Sequence, residues 1–200
     1  LNQPIPILLL GDGPDQRTGL GRLGHDLAWL LSGMPEFKVG YLGRCTTGKA
    51  VHPWANYAFG VQDQWGEMKI QEAWEDLSQG VRGIILTLWD ASRLMWFADP
   101  TGLPKKLAKF LLEGNFERWG YFMQDSEGVQ PGQLPMECAE VFARYDRVLL
   151  ASKWAYGMTT RTVNLPDVDW IPHGINTRAF LRTENSYGRF SSREIARSVW

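Results

Sequence analysis

Cysteine is scarce in this chain. Cys45 and Cys138 are the only two, at a spacing that fits no disulfide framework, which points to a reducing, cytoplasmic compartment. No apolar run approaches the ~18 residues of a membrane span. The longest, 5–10 and 83–88, are strand-sized, so no transmembrane segment is expected, although peripheral membrane contact stays open. The first residues lack a basic stretch followed by a long apolar one, so no signal peptide is expected; the start at Leu1 rather than Met leaves room for sequence upstream. Neither charge dominates: 21 Lys+Arg against 22 Asp+Glu give a net charge of −1, and no basic field announces a nucleic-acid partner. The three histidines, His25, His52 and His173, share no ligand spacing, which argues against a zinc site. No G-x-S-x-G elbow stands for a hydrolase. What is present is ordinary for a globular domain: 200 residues, 44% hydrophobic and 22% charged, enough to bury a real core.

Short apolar runs alternate with amphipathic stretches. Residues 5–10 form a continuous apolar run ended by Gly11, as in a strand buried on both faces. A loop rich in Gly, Pro and Asp fills 11–18. Leu20, Leu23, Leu27, Leu30, Leu31 and Met34 then recur at steps of three and four, the stripe of an amphipathic helix. Thr18 stands at its N-cap, and Gly33 with Pro35 closes it. The same reading predicts strands at 37–42, 56–60, 83–89, 119–123, 147–151 and 169–171. It predicts helices around 70–80, 103–112, 136–143 and, capped by Ser152, through Arg161. Alternating strands and helices imply an α/β fold: a Rossmann-like parallel sheet with helices on both faces, its ligand edge formed by the loops after the strands. Residues 1–180 fall in this domain, 181–191 read as a linker, and 192–200 as the start of a further helix.

Gly19, Gly21 and Gly24 satisfy G-x-G-x-x-G. Such glycines let backbone N–H groups approach an anion at the positive end of the helix they open. A nicotinamide dinucleotide is disfavoured. The glycines start nine residues past the apolar run, and Gly43 and Arg44 stand where that motif needs an acidic residue. What remains is a phosphate or sugar site, or simply a tight contact between helix and sheet. Farther on, Pro172 and Gly174 end a strand in a tight turn, and Asn176 caps whatever follows.

The segment P-H-G-I-N-T-R-A-F at 172–180 resembles the P-[HN]-G-[VI]-[DN]-x-x-x-[FY] segment of the retaining group 1 glycosyltransferases of the GT-B fold. D-R-V-L-L-A-S-K-W at 146–154 is similar to that family's strand followed by a Ser-capped helix. R-T-G-L-G at 17–21 resembles its glycine-rich first loop, with Arg17 where starch and glycogen synthases carry Lys. The three segments follow the family's order, and the resemblance spans about 5–180.

The resemblance implies that 1–180 is the acceptor-side lobe of an enzyme that moves a sugar, with retention, from a nucleotide-diphosphate sugar to a carbohydrate or other hydroxyl acceptor. It implies no cofactor and no essential metal. Residues 181–200 would lead to a C-terminal donor domain that this chain lacks, so the isolated lobe is expected to be close to inactive. On the same footing Arg17, Gly19, Gly21 and Arg22 meet the sugar-phosphate region of the donor. Trp89 and Asp90 face the acceptor or transferred sugar. Asp125 holds the catalytic place where the family often has a His, and His173, Gly174 and Asn176 form the interdomain turn.

Two other functions fit the same pattern. One is a non-catalytic Rossmann-like module for carbohydrate binding or assembly; the other is an NADP-binding domain with Arg44 on the 2′-phosphate. Glu67 and Glu75 share the spacing of the family's donor-side E-x7-E but read as a coincidence within a polar helix. Asp167 and Asp169 match the D-x-D by which a different glycosyltransferase fold holds a divalent metal, without making a metal site expected here. Most of the ten tryptophans read as core, Trp29 and Trp74 among them, while Trp89 and Trp96, near the ends of strands, could stack on a sugar ring.

Overall fold

Leu8, Leu9 and Leu10 are wholly buried, three consecutive side chains that a strand sends alternately to its two faces. Each contributes about 2 kcal/mol relative to an exposed leucine. They sit in β1 (Ile5–Asp12), an interior strand of a seven-stranded sheet. The computed structural model describes residues 3–46 and 51–174, so Asn176, the linker and the last helix lie outside the described residues.

After β1 come α1 (Gly19–Ser32), β2 (Phe37–Arg44), β3 (Ala55–Phe59), α2 (Ile70–Ser78) and β4 (Gly83–Thr87). A 3-10 turn at Ala91–Arg93 and α3 (Met95–Ala98) follow, then α4 (Lys105–Glu113), β5 (Phe116–Phe122), α5 (Met136–Phe142), β6 (Arg147–Leu150), α6 (Lys153–Thr162) and β7 (Val168–Trp170). Every pairing is parallel, in the order β3-β2-β1-β4-β5-β6-β7. The winding runs outward from β1 to β3, then crosses back and runs outward from β4 to β7. The loops after β1 and β4 therefore diverge, and a crevice for ligands opens between them at the carboxyl edge. This is a Rossmann-like α/β arrangement.

Helices cover both faces. On one, α1 presents Gly21, Gly24 and Ala28, flanked by Leu23, Leu27 and Leu31, to Ile7, Leu9, Val39 and Tyr41. The stripe expected from the sequence is thus shifted. Leu30 is 62% exposed and Trp29 59%, because the small residues at 21, 24 and 28 let the backbone itself lie against the sheet. On the other face, Leu8, Leu10, Leu42 and Phe59 pack with Trp74 and Leu77 of α2, Phe97 of α3 and Phe142 of α5. The caps follow their chemistry. Thr18 Oγ1 accepts from the Gly21 N–H at 2.9 Å, Ser152 Oγ accepts from the Ala155 N–H at 3.1 Å, and the Gly33 N–H closes α1 on the carbonyls of Leu30 and Leu31.

Several elements differ from expectation. β1 continues two residues past the apolar run, to Asp12. β5 begins at Phe116 rather than Trp119, since its charged residues are held in place: Arg82 lies 3.5 Å from Glu117, and Asp146 Oδ2 accepts the Arg118 N–H at 2.7 Å. The 3-10 turn and α3 are too short to show a period; they form because Leu94, Phe97 and Ala98 are buried in the cluster that also holds Val141 and Phe142. Among the described residues no helix is long and apolar enough to cross a membrane.

Candidate functional site

At the carboxyl edge Asp12 collects three partners. Its carbonyl accepts from the Tyr41 hydroxyl at 2.8 Å, Oδ2 from the Thr18 hydroxyl at 2.8 Å, and Oδ1 from the Trp89 indole N–H at 3.0 Å. Burial first, and then the charge of Asp12, push the Tyr41 phenol far above its usual range, so it stays a donor. No feature of the sequence marked Asp12, because the strand was expected to end two residues before it.

The three glycines of the first loop do different work. A Cβ on Gly24 would overlap the Tyr41 hydroxyl, and one on Gly21 would lie 2.7 Å from the Gly13 carbonyl and 2.8 Å from that of Gln16. Gly24 thus sets the helix close to the sheet, and Gly21 closes the loop. Only Gly19 faces open space, with nothing within 4 Å. Beside it lies a cavity of about 360 Å³ lined by Arg17, Thr18, Arg22 and His25, with Asp15 and Asp26 at the same walls. Arg17 is exposed, and Arg22 is 3.9 Å from Asp26, one turn away on the same helix. The expected pair Arg17 and Arg22 is brought together at the positive end of α1.

A second cleft, of about 270 Å³, lies between the loops after β4 and β5 and the start of α5. Asp90 and Asp125 both line it, together with Gln124, Ser92, Glu137 and Cys138. Asp90 is held 3.4 Å from the Arg93 guanidinium, while the Asp125 side chain is exposed. Burial, with Glu137 and Asp90 nearby, pushes the Cys138 thiol up to about 11 against the pull of a Gln124 hydrogen bond, so it is no nucleophile at neutral pH. Carboxylates, an amide and a hydroxyl around an open cleft suit a polyhydroxylated ligand that donates several hydrogen bonds.

Trp89 does not join them. Its indole is fully buried, edge-on to Phe59 at 6.2 Å and to Trp65 at 5.4 Å, so no ring face is left for a sugar. The expectation of a stacking surface is corrected: Trp89 is a core residue that holds Asp12. Trp96, half-buried, packs edge-on to Phe97 at 5.6 Å.

Near the expected interdomain turn, His173 lies over the end of β5, with Nε2 2.8 Å from Met123 Sδ and its ring 5.6 Å from Tyr121; Gly174 is exposed. The Asp167 carboxylate takes both Nε and Nη2 of Arg147 at 2.6 Å, and Asp169 accepts the Trp170 N–H, so the D-x-D pair is engaged within the protein. Glu67 precedes α2 and Glu75 lies within it, which separates that pair as well. Among the described residues no group of three or more His, Cys, Asp or Glu could hold a metal.

The sequence also hid a cluster: His25 and His52 come within 6.0 Å, with His52 stacked on Trp54 at 4.4 Å and His25 on Trp29 at 6.3 Å. Their separation along the chain carries no signal of this contact.

No protein-family profile matches the chain, and no curated protein matches it. The fold and the side chains at its carboxyl edge are what bear on function.

Proposed function

We propose that this domain is the acceptor-side lobe of a retaining glycosyltransferase that uses a nucleotide-diphosphate sugar. The observation that carries the reading is the meeting of Asp90 and Asp125 in one cleft at the ends of neighbouring strands, on the edge that also bears Arg17 and Arg22 beside Gly19. The roles follow from chemistry. Asp125 accepts hydrogen bonds from hydroxyls of the sugar or acceptor and, as a carboxylate, favours the positive charge that develops at the anomeric carbon. Asp90, oriented by Arg93, accepts from an acceptor hydroxyl. Arg17, Arg22 and the free N–H groups of the first turn of α1 favour the negative charge that grows on the leaving phosphate. No step in this scheme needs a cofactor, and the nucleoside part of the donor is left to a companion domain, while its diphosphate meets the first turn of α1.

Soaking crystals with UDP and with GDP tests the proposal. Diphosphate density beside Gly19 supports it; nucleotide bound only elsewhere, or by neither soak at millimolar concentration, overturns it.

A second reading, a non-catalytic carbohydrate-binding module, draws on Gly21 and Gly24, whose glycines packing alone accounts for. The two readings part on turnover of UDP-, GDP- or ADP-sugars once a companion donor domain is supplied.

A further inference from the structure

We propose that Arg44, Trp65 and Arg93 form a binding site for a phosphate-bearing small molecule at the crevice between β1 and β4. The site draws on none of the residues of the first glycine loop, and it stands whether or not a sugar is transferred. Topology places it: Arg44 ends β2 beside Asp12 of β1, and Arg93 follows β4, so the two arginines flank the point where the winding reverses.

Both guanidinium groups lie on one indole. The central carbon of Arg44 is 5.0 Å and that of Arg93 5.2 Å from the centre of the Trp65 ring. Trp65 is in turn fixed edge-on against Trp89, which Asp12 anchors. The electron-rich ring face steadies each cation. It does not remove the repulsion between two like charges held beside one side chain.

The described chain offers these cations little compensation. Arg93 shares one carboxylate, that of Asp90 at 3.4 Å. The Asp12 oxygens already take Thr18 and Trp89. Arg44 forms no ion pair among the described residues, and its Nε is shut off from water without a hydrogen-bond partner there. A buried, unsatisfied charged donor is costly to keep. An incoming anion that meets the solvent-facing side of both guanidinium groups offsets their positive charge and their mutual repulsion. Each guanidinium presents a planar fork that matches phosphate oxygens, and a phosphate dianion has charge for two forks where a carboxylate has charge for one.

The test uses the full chain, labelled with nitrogen-15 and titrated with inorganic phosphate or, at matched ionic strength, acetate. The Nε–Hε signals of Arg44 and Arg93 are expected to shift saturably with phosphate, with acetate binding at least about tenfold more weakly. Arg44→Gln and Arg93→Gln are each expected to weaken phosphate binding about tenfold or more, and Lys106→Gln, which removes an exposed charge of α4 outside both clefts, to leave it unchanged. Equal affinity for acetate, shifts confined to Arg17 and Arg22, or full affinity in Arg93→Gln overturns the proposal. Should Arg44→Gln fail to fold, the wild-type titration and the partly exposed Arg93→Gln decide it.

Discussion

The Thr18 hydroxyl reaches back to the Asp12 carboxylate, donating to Oδ2 at 2.8 Å while it accepts the Gly21 N–H at 2.9 Å. The other Asp12 oxygen takes the Trp89 indole. One carboxylate thus joins the end of β1 to the cap of α1 and to the segment after β4. Asp12→Ala strands the buried Trp89 donor and releases the cap, at an expected cost of about 2–3 kcal/mol in urea unfolding. Asp12→Asn keeps an acceptor and loses less. A loss under about 0.5 kcal/mol in Asp12→Ala would show that these hydrogen bonds add nothing net.

The glycines of the first loop separate by substitution. Gly24→Ala drives a methyl into the Tyr41 hydroxyl and is expected to destabilise by about 1–3 kcal/mol. Tyr41→Phe in the same chain recovers part of that loss, a coupling that a double-mutant cycle measures. Gly19→Ala meets nothing at the start of the helix and is expected to raise stability by about 0.5–1 kcal/mol through the unfolded state. If Gly19→Ala instead destabilised as much as Gly24→Ala, the division of labour among the glycines would be refuted.

Acid acts through His52. Burial, then the neighbouring His25, lower its pKa from the ordinary 6.5, against the opposing charge of Asp15. As pH falls below 6.5 the unfolded chain takes up this proton before the folded one does, so stability declines and levels off below the folded value. Thermal melts at pH 7.5 and 5.0 are expected to show a larger drop for the wild type than for His52→Gln. Equal drops would dismiss His52 as the cause.

The two thiols should differ sharply in reactivity. Cys45 is exposed, whereas Cys138 is buried and its pKa is raised to about 11. Mass spectrometry after brief iodoacetamide treatment at pH 8 is expected to find Cys45 alkylated well ahead of Cys138. Comparable labelling of both would mean that the cleft lined by Asp90 and Asp125 opens far more than its packing indicates.

Much of the fold was legible because its cues are local. The apolar run of β1, the Thr18 and Ser152 caps and the regular alternation of strands and helices all act over a few residues. What escaped has a common cause. The start of β5 is masked by Glu117 and Arg118, whose partners Arg82 and Asp146 lie far away in sequence. Trp89 follows a strand like an edge residue, yet folding closes Phe59 and Trp65 over it. Asp12, the centre of the hydrogen-bond network, is one aspartate among several in a polar loop. Of the candidate residues, Arg17 and Arg22 line one cavity and Asp90 and Asp125 one cleft, because the carboxyl edge of a parallel sheet gathers the residues that follow its strands. The contact between His25 and His52, and that of Arg44 and Arg93 on Trp65, depend on tertiary packing with no sequence period.

The bond from Trp89 to Asp12 spans 77 positions of the chain and crosses the seam where the winding changes direction. It lies just beyond the last backbone bond that joins the two wings, Leu88 N–H to the Leu10 carbonyl at 2.9 Å, and carries the link onto the ligand rim. With the indole as a rivet, a pull on the segment after β4 is borne at once by the segment after β1. A molecule that seats on this rim therefore loads a single stiff plate.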